Sequence, residues 1–259
     1  MSDMVISKIM GGLGNQMFQY AAGLSLSIDR GEILFLDISP YINYDKRKFQ
    51  LDGFPEIRRR IQTGEVRIFG PGDHVEAICV RDDFMTFSFP ECNVYLDGYW
   101  QSERFFHNNA DLIRREFALP GSVAPGIQDS VSVHVRRTDY LNSNGFHPVL
   151  PPSYYDAAMS AIGGGRRAFV FSDDIEWCRT GLESPHFVGA EFVSGGDEFH
   201  DLRLMSSAAH NIIANSSFSW WGAWLNQTPG RTVVAPRTWF GDVSGIDSSN
   251  MLPGGWVTI

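Results

Sequence analysis

A chain of 259 residues has room for one large α/β domain or two small ones. With 43% hydrophobic and only 20% charged residues, it carries too much core material for wholesale disorder. The net charge of −9 and pI of about 5.2 exclude nucleic acid held by a broad basic surface, so any anion must be caught by a local pocket. No apolar run approaches the roughly 20 residues that span a bilayer, and no charged n-region precedes an apolar h-region. The expectation is a cytoplasmic protein with no transmembrane segment, peripheral membrane association staying open. Cys79, Cys92 and Cys178 form no CxxC pair and read as isolated thiols. The sequons at Asn215 and Asn226 read as chance occurrences without a secretion signal.

In chain order, MVISKIM predicts a buried strand, followed by the glycine turn Gly11-Gly12-Leu13-Gly14. Met17, Phe18, Ala21, Leu24, Ser25 and Ile28 then share one helical face that stops at Gly31, and ILFLD (33–37) is the next strand. This β-turn-α-β start seeds a parallel sheet. Residues 40–120 carry weaker patterns: NVYLDGYW predicts a strand, and SERFFHNNADLIRREFAL a helix. LPGSVAPGIQDS, with two prolines and two glycines, is the candidate linker. Beyond it the βα rhythm is clear. Strands are expected at VSVHVR (131–136), AFVFS (168–172), EFVSG, NIIAN (211–215) and TVVAP (232–236). Helices are expected at SYYDAAMSAI, with Ser153 and Asp156 spaced as a capping box, and at DIEWCRTGL, DEFHDLRLMSSAA and SFSWWGAWLN. The expected class is α/β: two Rossmann-like domains, residues 1–125 and 126–259, facing each other across a cleft.

Four constellations could carry chemistry. GGLGNQMFQYAAG (11–23) has a phosphate-cradle layout, with Gly12, Gly14, Asn15 and Gln16 at the turn. Asp37 mimics the ribose acid of a dinucleotide fold, but Met17 occupies the third glycine position of GxGxxG and argues against that reading. HVRRTDY (134–140) is the most specific signal. His134 and Arg136 share one face of a strand end, and Arg137 is free to pair with Asp139. A guanidinium there offers a fork matched to phosphate oxygens. In FSDD (171–174), Asp173 and Asp174 could accept from a ribose or guanine edge, or Ser172 or Asp173 could simply cap the next helix. In NSSFSWWGAWLN (215–226), Asn215, Ser216, Ser217 and Phe218 lead into a helix N-terminus that forms a second anion cradle, and Trp220, Trp221 and Trp224 read as core. Walker A, GxSxG, HExxH and Asp-x-Asp patterns are absent, so no metal site is expected.

These blocks, together with GYWQSERFF, resemble glycosyltransferase family 11, the α-1,2-fucosyltransferases, over nearly the whole chain. The resemblance implies a GT-B-like fold and metal-free, inverting transfer of L-fucose from GDP-β-L-fucose. The implied acceptor is an oligosaccharide or glycolipid, at O2 of a terminal β-galactoside. It also implies that the N-terminal domain serves the acceptor and the C-terminal domain the GDP-fucose. Arg136 matches the arginine on the donor's β-phosphate, His134 a histidine near the nucleotide, and Asn15 the loop asparagine near the reacting centre. Ser216, Ser217 and Phe218 match the block around the pyrophosphate, and Asp173 and Asp174 one on the nucleotide side. Thr138 stands where many members have glycine. Asp139, Asp97 and His134 are the candidate bases. Another GDP-sugar or linkage, an NAD-type oxidoreductase and a non-catalytic nucleotide-sugar binder are the alternatives.

Overall fold

A computed structural model describes residues 3–42, 46–70, 73, 75–81 and 92–259. The chain divides into two compact units, Met1–Leu119 and Pro120–Ile259, with the break inside the proline- and glycine-rich segment. Each unit is a parallel β-sheet with helices between its strands, the α/β class expected from the sequence.

The first unit opens with β1 (Met4–Lys8), α1 (Leu13–Arg30) and β2 (Ile33–Asp37). Gly31, with φ of 70°, ends α1 in a left-handed cap. Met17 is fully buried in α1, and the close helix–sheet approach falls instead at Gly23. A β-carbon there would stand 2.9 Å from both Ser7 and Leu34 side chains. The middle of the chain, only weakly patterned, yields α2 (Pro55–Thr63), β3 (Val66–Phe69), β4 (Ile78–Val80), β5 (Val94–Leu96) and α3 (Ala110–Glu116). The long helix expected over 102–119 is corrected to two 3₁₀ turns, 103–105 and 107–109, before α3. The backbone leaves helical geometry at Phe106, with φ of −142°, and Asn109 then anchors the start of α3 by donating to Ser25 Oγ and Asp29 Oδ1, each at 2.9 Å. Strand order is β3-β2-β1-β5-β4, all parallel.

The second unit contains β6 (Val131–Val135), α4 (Pro152–Ile162), β7 (Ala168–Ser172), α5 (Ile175–Gly181) and β8 (Glu191–Phe192). It continues with α6 (Glu198–Ser206), β9 (His210–Ile212), α7 (Ser217–Leu225), β10 (Val233–Ala235) and β11 (Val257–Thr258). The capping box expected at Ser153 is corrected: Pro152 opens α4, Pro151 is its N-cap, and no side chain caps it. The order β11-β10-β9-β6-β7-β8 is again fully parallel. Trp220 and Trp221 are completely buried under it and Trp224 nearly so. The sequon asparagines Asn215 and Asn226 are buried as well, which closes both to glycosylation.

Buried polar groups tie the helices of the first unit together. Glu116 on α3 accepts from Tyr20 Oη of α1 and from Arg60 Nε of α2, each at 2.8 Å. Removing its carboxylate strands a buried hydroxyl and a partly buried guanidinium, a loss on the order of 2 kcal/mol. Glu116→Ala should therefore lower the melting midpoint by roughly 4–8 °C. Arg59, an exposed arginine paired with Glu56 and Glu65, should be replaceable by alanine with almost no change. Differential scanning fluorimetry of both variants checks the contrast.

Candidate active site

In open parallel sheets ligands bind beyond the C-terminal strand ends, where the winding reverses. In the second unit β6 runs on through α4 to β7 on one side, while β9 flanks it on the other. The reversal thus lies between β6 and β9, beneath His134–Tyr140 and Asn215–Phe218. The two segments meet there: Tyr140 Oη donates to the Asn215 carbonyl at 2.8 Å, and the His134 and Phe218 rings are 5.8 Å apart.

Arg136 is held by two carboxylates. Its Nε and Nη2 donate to both oxygens of Asp139, at 2.9 and 2.7 Å, and Nε stands 3.4 Å from Asp173 Oδ2. The Nη1 edge takes no part in these bonds and suits an incoming anion. The Tyr140 ring lies 5.8 Å from the guanidinium and is backed by His147, stacked on it at 4.5 Å. Sequence reasoning missed His147, which lies beyond the quoted block.

The expected Arg137–Asp139 pair is corrected. Asp139 is committed to Arg136, while Arg137 turns to Asp174 at 3.1 Å and lies 4.3 Å over the Trp177 ring. Asp173 and Asp174, candidates for a ribose or guanine edge, are occupied within the protein. Asp173 accepts from the Arg137 and Thr138 backbone amides, at 2.9 and 3.1 Å, and from Thr138 Oγ1. Asp174 caps α5 by accepting from Trp177 N, and Ser172 Oγ accepts from Asp174 N at 2.9 Å. Asn215 is also turned inward: its amide donates to the Pro148 and Trp239 carbonyls at 3.1 and 3.0 Å, fastening two loops together. Ser216 is the N-cap residue of α7 and makes no side-chain cap, and the first turn, with Ser217 and Phe218, carries no acid. Such a helix end accommodates negative charge.

The first unit holds the other group of residues, again where the winding reverses, between β1 and β5. Gly12 is the N-cap of α1, Gly14 is buried in its first turn, and Asn15 is half-buried. Gln16, wholly buried, donates to the Gly11 and Lys48 carbonyls and accepts from Gln50 N, tying 48–50 to the glycine turn. That segment carries Arg47, whose Cζ lies 3.9 Å from where a β-carbon of Gly12 would stand. Sequence reasoning missed Arg47 too; its signal was Lys46-Arg47-Lys48, a basic run in an acidic chain. Asp37, the mimic of a ribose acid, instead accepts from Tyr95 Oη and Ser39 N.

Two of the three candidate bases are shifted away from neutral pH, and the third is bonded to a cation. Burial, reinforced by the Arg136 charge, lowers His134 to about 3. Asp97 is bonded to Lys8 at 2.8 Å and Arg81 at 3.2 Å, and these bonds lower its pKa. Asp139 is taken by Arg136. Among the described residues no three His, Cys, Asp or Glu side chains gather as a metal site, and no helix is long and apolar enough to cross a membrane.

The depressed His134 has a measurable consequence. The unfolded chain binds a proton near the ordinary histidine value of 6.5 that the folded chain refuses until about 3. The stability contributed by neutral His134 is thus complete above 6.5 and is lost as pH falls. Between pH 6.5 and about 5 the stability difference between wild type and His134→Asn should shift against the wild type, its melting midpoint falling more, or rising less, than the variant's. Parallel slopes in thermal scans would contradict the buried, neutral histidine.

The model of the family described as Glycosyl transferase family 11 matches residues 2–259. An alpha-1,2-colitosyltransferase of Escherichia coli is 33% identical, with 98% of each chain covered. A mouse galactoside alpha-(1,2)-fucosyltransferase 1 is 28% identical over 83% of this chain and 61% of its own. A structure of NodZ alpha-1,6-fucosyltransferase soaked with GDP-fucose superposes on 87% of this chain and 93% of its own, with TM-score 0.42 and 14% identity. The oxidoreductase and non-catalytic alternatives fall away with the family match: the chain belongs to glycosyltransferase family 11 and is a glycosyltransferase.

Proposed function

We propose that the enzyme transfers L-fucose from GDP-β-L-fucose to O2 of a terminal β-galactoside on an oligosaccharide or glycolipid, inverting the anomeric carbon to give an α-1,2 linkage. The observation that carries this reading is the braced Arg136 at the sheet's winding reversal, next to the acid-free first turn of α7. The acceptor oxygen forms a bond to the anomeric carbon as the bond to the β-phosphate oxygen breaks; GDP departs with the added negative charge, and the acceptor's proton, lost late, passes to solvent or to the departing phosphate oxygen. Fixed donors aimed at that charge act most strongly on such a step. Arg136, Ser216, Ser217 and the α7 amides are assigned to the diphosphate, with no metal, and His134 lines the nucleotide pocket. Asn15, Gly12, Gly14 and Gln16 are assigned to the sugar and acceptor side. Asp139 orients Arg136 and shares its charge.

The colitosyl relative favours a second reading, with the same linkage and another GDP-sugar. Colitose lacks only the C3 hydroxyl of fucose, so a pocket for one nearly fits the other. The deciding experiment offers GDP-fucose, GDP-colitose and GDP-mannose with a panel of β-galactosides in excess EDTA, with product linkage read by NMR. The expected outcome is α-1,2-fucosyl product, undiminished by EDTA. Faster turnover of GDP-colitose would transfer the assignment to the second reading, and loss of activity restored by Mg²⁺ or Mn²⁺ would end the metal-free one.

A further inference from the structure

Asn15 is gripped by a residue outside the motifs assigned to catalysis. Gln101 Nε2 donates to Asn15 Oδ1 at 2.7 Å, joining the turn after β5 to the turn after β1. The other end of the amide sits in space that only glycine leaves open. Asn15 Nδ2 lies 2.9 Å from where a β-carbon of Gly11 would stand, and Gly11 has a φ of 81°. Among the described residues nothing accepts a hydrogen bond from Asn15 Nδ2.

The turn that delivers Gln101 is itself held under strain. Trp100 has a φ of 53°, in the left-handed region that side-chain-bearing residues avoid, although it is only 4% exposed. Its ring packs edge-on against Phe105 at 5.3 Å, and its carbonyl accepts from Ser102 N at 2.7 Å. The turn is also tied through α1 to the segment after β1: Gln19, wholly buried, accepts from Met10 N and donates to the Gly98 carbonyl. Strain of this kind persists where surrounding structure over-determines it, commonly beside a working site.

We infer that Gln101 is a positioning residue, fixing the Asn15 amide so that Nδ2, not the carbonyl oxygen, is offered to the reacting groups. This rests on the assignment of Asn15 to the sugar side. With Oδ1 turned to Gln101, the Asn15 group left for the substrate is Nδ2, which donates to a sugar oxygen or to charge developing near it.

The test uses the full chain and whichever GDP-sugar the wild type turns over, comparing Asn15→Ala, Gln101→Met, Gln101→Glu and the double variant Asn15→Ala/Gln101→Met. Gln101→Met keeps the shape and loses the bond, whereas Gln101→Glu accepts from Nδ2 and turns the amide around. Both Gln101 variants should lose on the order of 10²-fold in kcat, with GDP affinity and melting midpoint close to wild type. The double variant should be no slower than Asn15→Ala alone, because the two residues act as one unit. Near-wild-type kcat in both Gln101 variants, beside an inactive Asn15→Ala, would overturn the inference. So would additive losses in the double variant, or losses matched by weaker GDP binding. Full activity in Asn15→Ala would instead remove the assignment of Asn15 itself.

Discussion

The second unit's site depends on one carboxylate placed across two neighbouring strands. β6 and β7 run in parallel register, with Val135 opposite Ser172, so Asp173 emerges beside the chain just after β6. From there it takes the backbone amides of Arg137 and Thr138 and the Thr138 hydroxyl, and it faces Arg136 Nε. A turn with two of its amides bonded to one carboxylate has little freedom left. Arg136 and Arg137 therefore leave the strand in fixed directions, one to Asp139 and the other to Asp174 and Trp177. Thr138 supplies a hydroxyl to this brace, which a glycine at that position could not.

This geometry weights the chemistry toward the leaving group. A general base gains from a pKa near the working pH, yet His134 is pushed down by burial and Asp97 by its bonds to Lys8 and Arg81. The cation, by contrast, is fixed in advance of the reaction. Arg136 keeps its charge at any working pH, and its free edge can meet a diphosphate without dismantling its ties to Asp139. Catalysis led by such a group requires little reorganisation when charge develops.

Much of this was legible in the sequence because alternation and glycine turns are local. β2 and the Gly31 cap of α1 lie where the pattern puts them, and the HVRRTDY block sits at a strand end. What escaped was set by partners distant in the chain. The stretch around Phe105 and Asn109 has a helical apolar stripe, but its backbone leaves helical geometry at Phe106, and Asn109 bonds to Ser25 and Asp29, some 80 residues away. Asp173 and Asp174 as ligand contacts read no better than Ser172 or Asp173 as a cap; the cap proves to be Asp174, and only the register of β6 against β7 shows Asp173 bracing the turn. Met17 correctly spoke against a dinucleotide turn, whereas the close approach at Gly23 needed the facing Ser7 and Leu34 to be seen. Arg47 gains meaning only from the glycine turn it faces, and Gln101, although inside the GYWQSERFF block, shows its partner Asn15 only in the fold.

On the proposed function, a fixed, forked cation at Arg136 dominates the chemical step. The most direct test is kcat for Arg136→Lys beside Arg136→Ala, with folding confirmed by circular dichroism. Lysine keeps the charge but loses the fork and the bidentate hold of Asp139. Both variants should fall by roughly 10²–10³, with lysine little better than alanine. If Arg136→Lys retains most of the wild-type kcat, the dominance of the braced guanidinium is contradicted.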